Sequence, residues 1–173
     1  MASWATLVAR HSAAVEEFLR TAHGIPADRW TQPTAPGKWS PAEITSHLIE
    51  SYHTFRSELA GRPGMRLRLG LIRRWVLRRT TLPRILTTGI FPTGARAPRE
   101  IRPREVQPDA RIALHTLSTE ADAMVQELAD RMRTGRVRLT HAYFGRMSAR
   151  QSLTMATVHT RHHARQLATF TVA

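Results

Sequence analysis

Apolar residues recur at three- and four-residue intervals in four long stretches, the period that lines one face of a helix. Across residues 3–22 the stripe is Trp4, Leu7, Val8, Val15, Phe18, Leu19 and Ala22. The second stretch opens at Ser40-Pro41-Ala42-Glu43, which combines an N-cap serine, a proline at the first helical position and a glutamate able to close a capping box. Ile44, Leu48, Phe55 and Leu59 carry it toward Gly61. The third covers about residues 109–132, with Ile112, Leu114, Leu117, Met124, Val125 and Leu128 as apolar positions and Gly135 behind its end. The fourth begins at a second capping box, Ser148-Ala149-Arg150-Gln151, and reaches Phe170.

Between these stretches the chain is punctuated by helix breakers. Gly24, Pro26, Pro33, Pro36 and Gly37 predict an irregular connection. In residues 61–107, Met65, Leu69, Ile72 and Val76 predict the apolar stripe of a short helix whose other face carries Arg66, Arg73, Arg74 and Arg78. Pro83, Pro92, Pro98, Pro103 and Pro108 predict an extended loop beyond it. Tyr143-Phe144-Gly145 reads as part of a loop, with no strand hairpin expected. The expectation is an all-α fold, an antiparallel four-helix bundle forming a single domain over residues 1–173. Residues 61–107 would be a basic insertion, an amphipathic helix plus loop, between the second and third long helices.

Composition narrows the chemistry. The chain has no cysteine, which excludes disulfides, thiolate metal sites, iron–sulfur clusters and a cysteine nucleophile. No tract of about 18 apolar residues occurs, and the first residues lack a basic start followed by an apolar run, so a cytoplasmic protein is expected. The formal charge of +13 is concentrated: residues 62–104 hold twelve arginines against one acid, Glu100. Of the 26 basic residues in the chain, only Lys38 is not arginine. A solvated basic face accounts for such a cluster; contact with nucleic acid or an anionic membrane is the sharper alternative. Trp75 and Phe91 are the aromatic residues there, which offers little for base stacking.

Nine histidines supply the remaining candidate chemistry. His159 and His163 are four apart on a well-capped helix, so their rings stack on one face and can converge on one ion. Neutral imidazole suits zinc, nickel, copper or iron. A third ligand must come from another helix, and His47, beside the apolar stripe of the second stretch, is the best placed. His11 lies within an apolar stripe and reads as a core residue. His162 is rotated about 100° from the pair and reads as solvent-facing or supporting. His23, His53, His115 and His141 are weaker candidates. Spacing alone leaves ordinary hydrogen-bonded core histidines as an open alternative.

Three segments carry a family resemblance: Lys38-Trp39-Ser40-Pro41-Ala42-Glu43-Ile44 with His47-Leu48, Tyr143-Phe144-Gly145-Arg146-Met147-Ser148, and His159-Thr160-Arg161-His162-His163-Ala164-Arg165-Gln166-Leu167. With these the chain resembles the DinB/YfiT-like superfamily of metal-binding helical bundles, over residues 28–60 and 108–168. The resemblance implies that His47, His159 and His163 bind a divalent transition metal, zinc or nickel, with a coordination position left open. It further implies a metal-dependent enzyme, a thiol S-transferase or a hydrolase, with a small-molecule substrate and a low-molecular-weight thiol as cofactor. A homodimer is implied as well. Glu50 and Gln166 are positioned in helical projection to orient the ligands. A metal-stabilised bundle without turnover is the alternative.

Overall fold

Four of the five helices, all but Leu71–Thr88, start where a side chain takes up backbone N–H groups that a first turn leaves free. The computed structural model describes residues 2–92, 94 and 96–171. It contains α1 (Trp4–His23), α2 (Pro41–Leu59), α3 (Leu71–Thr88), α4 (Ala110–Thr134), β1 (Arg138–His141), β2 (Gly145–Ser148) and α5 (Ala149–Thr171), with short 3-10 turns at Ala27–Arg29 and Arg99–Ile101. Ser3 accepts from the Thr6 N–H at the start of α1. Ser40 and Glu43 exchange both bonds of a capping box at α2. Asp109 accepts from Arg111 and Ile112 at α4, and Ser148 and Gln151 close a second reciprocal pair at α5.

The fold is an all-α bundle of α1, α2, α4 and α5, in which α1 packs chiefly against α5 and α2 against α4. Phe18, Leu48, Leu117, Met124, Leu128, Leu153 and Leu167 form the dry centre. Trp30, also buried, pins the α1–α2 connection by donating its indole N–H to the Gln107 carbonyl at 3.1 Å. Among the described residues, no helix is long and apolar enough to cross a membrane.

Two expectations need correction. The stripe assigned to Met65, Leu69, Ile72 and Val76 is not what holds the basic helix: Met65 and Leu69 precede α3, and Ile72 and Val76 are exposed. Its anchors are Leu82 and Ile85, which join Phe144, Met147 and Met155 in a second, smaller core. Pro83 sits inside the helix rather than ending it. It lies on the exposed side, where the carbonyl that loses its N–H partner can be hydrated. The stop comes at Gly89, whose φ of 66° places it in the left-handed region that ends helices.

The loop expected around Tyr143 is the turn of a β-hairpin. Leu139 pairs with Met147 and Arg138 with Ser148. Leu139 and Met147 are buried while their neighbours Arg138 and Arg146 are exposed, the alternation a half-buried strand requires. Gly145, at φ 72°, takes the left-handed position that follows the three-residue turn. Four-residue strands are too short for the alternation to stand out from sequence.

Packing at the centre and exposure on α3 predict opposite mutational responses. Leu117→Ala should lower the unfolding free energy by about 2–5 kcal/mol, whereas Ile72→Ala should change it by less than about 0.5 kcal/mol. Urea denaturation measures both. Equal losses would show that the start of α3 is packed in solution.

Candidate metal centre

α2 presents His47 in its second turn, and α5 presents His159 and His163 one turn apart. The two helices bring these rings together across 112 residues of sequence. The Nε2 atom of His159 lies 3.0 Å from Nε2 of His47 and 3.0 Å from Nε2 of His163. One nitrogen from each of the three residues lies within 4.8 Å of the others, a group that could hold a metal ion. His47 and His163 are buried and His159 is partly exposed, so the cluster opens on the His159 side.

Hydrogen bonding on the far side of two rings sets their tautomers. Nδ1 of His47 is 2.5 Å from the carbonyl oxygen of Ile101. A carbonyl only accepts, so Nδ1 carries the proton and Nε2 presents a lone pair. Nδ1 of His163 donates to Oε1 of Gln166 at 2.7 Å, with the same consequence. The Gln166 amide is itself oriented, donating from Nε2 to His162 at 3.2 Å. These are the contacts that orient imidazole ligands in metal proteins.

The charge state fits the same use. Burial pushes the His47 ring down to about 4, with the Ile101 carbonyl opposing the shift and His162 adding to it. Burial, reinforced by the neighbouring rings, holds His159 and His163 well below the usual imidazole range. All three are therefore neutral near pH 7. The Nε2 lone pairs of His47 and His163 both face the His159 ring, and a cation between the three rings would be held by all three nitrogens. Nitrogens sharing a tetrahedral zinc ion at bonds of about 2.0–2.1 Å stand roughly 3.4 Å apart; here Nε2 of His159 stands closer than that to each neighbour, at 3.0 Å, and all three nitrogens lie within 4.8 Å of one another.

Aromatic rings enclose the cluster. Trp39 lies 4.8 Å from the His47 ring, and Phe91 lies 5.8 Å from His159 and 5.0 Å from His162, centre to centre. His141, at the end of β1, stacks on Phe144 at 4.6 Å and accepts the Tyr143 N–H at Nδ1. Burial pushes its ring down to about 4, and a proton on it would further disfavour one on His159. Two surface grooves lie away from the cluster, one beside Arg56 and Glu127 and one along the start of α3.

Of the two residues expected to orient the ligands, Gln166 makes that contact. Glu50 does not: among the described contacts its only side-chain partner involves its backbone carbonyl, which accepts from Thr54. His11 is a core residue beside Tyr52 and Thr157, and His53 pairs with Glu120 at 3.1 Å. Sequence reasoning missed Ile101, Phe91 and His141. Ile101 acts through its backbone and carries no side-chain signal, while His141 depends on the unrecognised hairpin.

A family model of the DinB superfamily matches residues 10–167. The chain belongs to the DinB superfamily. The match spans residues 61–107 as well as the flanking segments that carried the resemblance. No curated protein and no solved structure matched the chain.

The buried imidazoles of this DinB-superfamily bundle make it sensitive to acid. His11, His47 and His141 are each lowered from 6.5 to about 4 in the folded state. Below pH 6.5 the unfolded chain binds more protons than the folded one, so the stability from these neutral rings is present above that value and lost as pH falls toward 4. The midpoint of thermal unfolding, measured in chelator, should fall steeply from pH 7 to pH 5. A flat profile would show that the rings titrate normally.

Proposed function

We propose that the chain binds a single divalent transition metal, zinc or nickel, through His47, His159 and His163, and that the ion serves a metal-dependent reaction on a small molecule. The observation that carries this reading is the approach of three Nε2 atoms, two pairs at 3.0 Å, on rings of which two are buried, from helices far apart in sequence. When bound, the ion would supply Lewis acidity, polarising an oxygen or sulfur donor at the remaining position and easing its loss of a proton. Three neutral ligands leave the ionic charge uncompensated, which favours an anionic partner such as a thiolate. A thiolate in that place would serve thiol S-transfer, with a low-molecular-weight thiol as cosubstrate; hydroxide, equally anionic, would serve hydrolysis.

The protein's own contribution is positional. The Ile101 carbonyl and Gln166 hold the rings of His47 and His163 with their lone pairs inward. Trp39 and Phe91 restrict water on two sides. The partly exposed edge of His159 is the approach for a substrate. A second reading, a metal-stabilised bundle without turnover, is favoured by the burial of two of the three rings.

Elemental analysis of the purified protein should find about one transition metal per chain, falling to background in His47→Ala. Unchanged occupancy in that variant would overturn the assignment. Gln166→Ala should weaken metal affinity by about 10–100-fold while leaving the stoichiometry intact, measured by competition with a chromogenic chelator. Turnover of a thiol with a soft electrophile, lost together with the metal, separates the catalytic reading from the structural one.

A further inference from the structure

The start of α3 turns its apolar side away from the protein. Leu71 is 75% exposed, Ile72 81% and Trp75 60%, and Val76 is exposed beside them. Residues 71, 72, 75 and 76 share one face of a helix. The later half of α3 is held down by Leu82 and Ile85, and Arg78 fastens the middle by donating to the carbonyls of Phe144 and Arg146. The first two turns are thus fixed in place with large hydrophobic side chains facing solvent, so their exposure is a property of the packed helix.

The charge around this face has one sign. α3 contains no acidic residue. Arg73, Arg79 and Arg84 are exposed along it, and the Arg79 guanidinium lies over the Trp75 ring, 5.2 Å from its centre. A groove of about 530 Å³ runs beside Leu71, Ile72 and Trp75, and its lining includes Arg74, Arg138 and Arg146. An exposed apolar stripe rimmed by arginine calls for a partner that is both apolar and anionic.

We infer that the first half of α3 docks on an anionic lipid surface, with Leu71, Ile72, Trp75 and Val76 entering the headgroup–acyl boundary and the surrounding arginines meeting lipid phosphates. Charge complementarity decides among the occupants. A second copy packed through the same face in a two-fold contact would set this arginine cluster against itself. Nucleic acid would satisfy the arginines but leave Leu71, Ile72 and Val76 without a role, since only Trp75 can stack on a base. A lipid surface uses both features, and arginine stems can lie along the apolar side chains while their heads reach phosphate.

Flotation of the full chain with vesicles tests the inference. Protein should float with vesicles of phosphatidylcholine containing about one-third phosphatidylglycerol, at least roughly tenfold more than with phosphatidylcholine alone, and less as salt rises. The double variant Ile72→Ser, Trp75→Ser should lose roughly tenfold or more of that binding with its thermal unfolding unchanged. Arg73→Gln with Arg79→Gln should lose a comparable amount. Failure to float with anionic vesicles at low salt would overturn the inference. So would flotation unaffected by the serine variant, which would mean adsorption by charge alone. Conversion of a wild-type dimer to monomer by that variant would assign the face to a second copy. Tighter retention of an oligonucleotide than of vesicles, competing for the same variant-sensitive face, would assign it to nucleic acid.

Discussion

Three imidazole rings meet where two of them are shut off from solvent, and much of the surrounding structure holds them there. Burial keeps the rings neutral, which leaves their nitrogens free to act as donors to a cation. Neutrality alone would let each ring turn its other nitrogen inward. The Ile101 carbonyl and the Gln166 amide remove that freedom for His47 and His163 by occupying Nδ1. The relative placement of α2 and α5 then fixes where the third nitrogen falls. Nearby, Tyr52 of α2 bonds Thr160 of α5 at 2.8 Å, one residue from His159 and fully inside the core. That link ties together the same two helices that carry the histidines.

The segment between α2 and α4 serves both the cluster and the surface. Its later part lies against the histidines: Ile101 offers its carbonyl to His47, Phe91 covers His159 and His162, and the Gly89 carbonyl takes a bond from Arg165 of α5. Its earlier part presents exposed arginine and hydrophobic side chains. Leu82 and Ile85, packed on the hairpin and α5, connect the two.

Among the described residues, the group that could hold a metal ion contains no carboxylate. Arg56 engages Glu120 and Glu127 at the α2–α4 interface, and Glu58 accepts from both the backbone and the hydroxyl of Thr140. These acids fasten helices and the hairpin and stand outside the group of three histidines. A cation held by the imidazoles would keep its full charge for whatever occupies the remaining position, in contrast to a site in which an aspartate or glutamate ligand cancels part of it.

Local chemistry written in adjacent residues was legible from the chain. Ser40 with Glu43, Ser148 with Gln151 and Asp109 mark helix starts because caps act over three or four residues. The i, i+4 spacing of His159 and His163 and the inward phase of His47 follow from helical geometry. What required the fold was contact between distant segments. No pattern announces that the Ile101 carbonyl will reach His47, because every residue has such a carbonyl and only tertiary packing selects one. The hairpin was hidden because four residues are too few for alternation to stand out, and His141 was hidden with it. On α3 the period identified a helix but not its buried side. Leu71, Ile72 and Trp75 are as apolar as Leu82 and Ile85, and which of them meets the protein depends on where the hairpin and α5 lie.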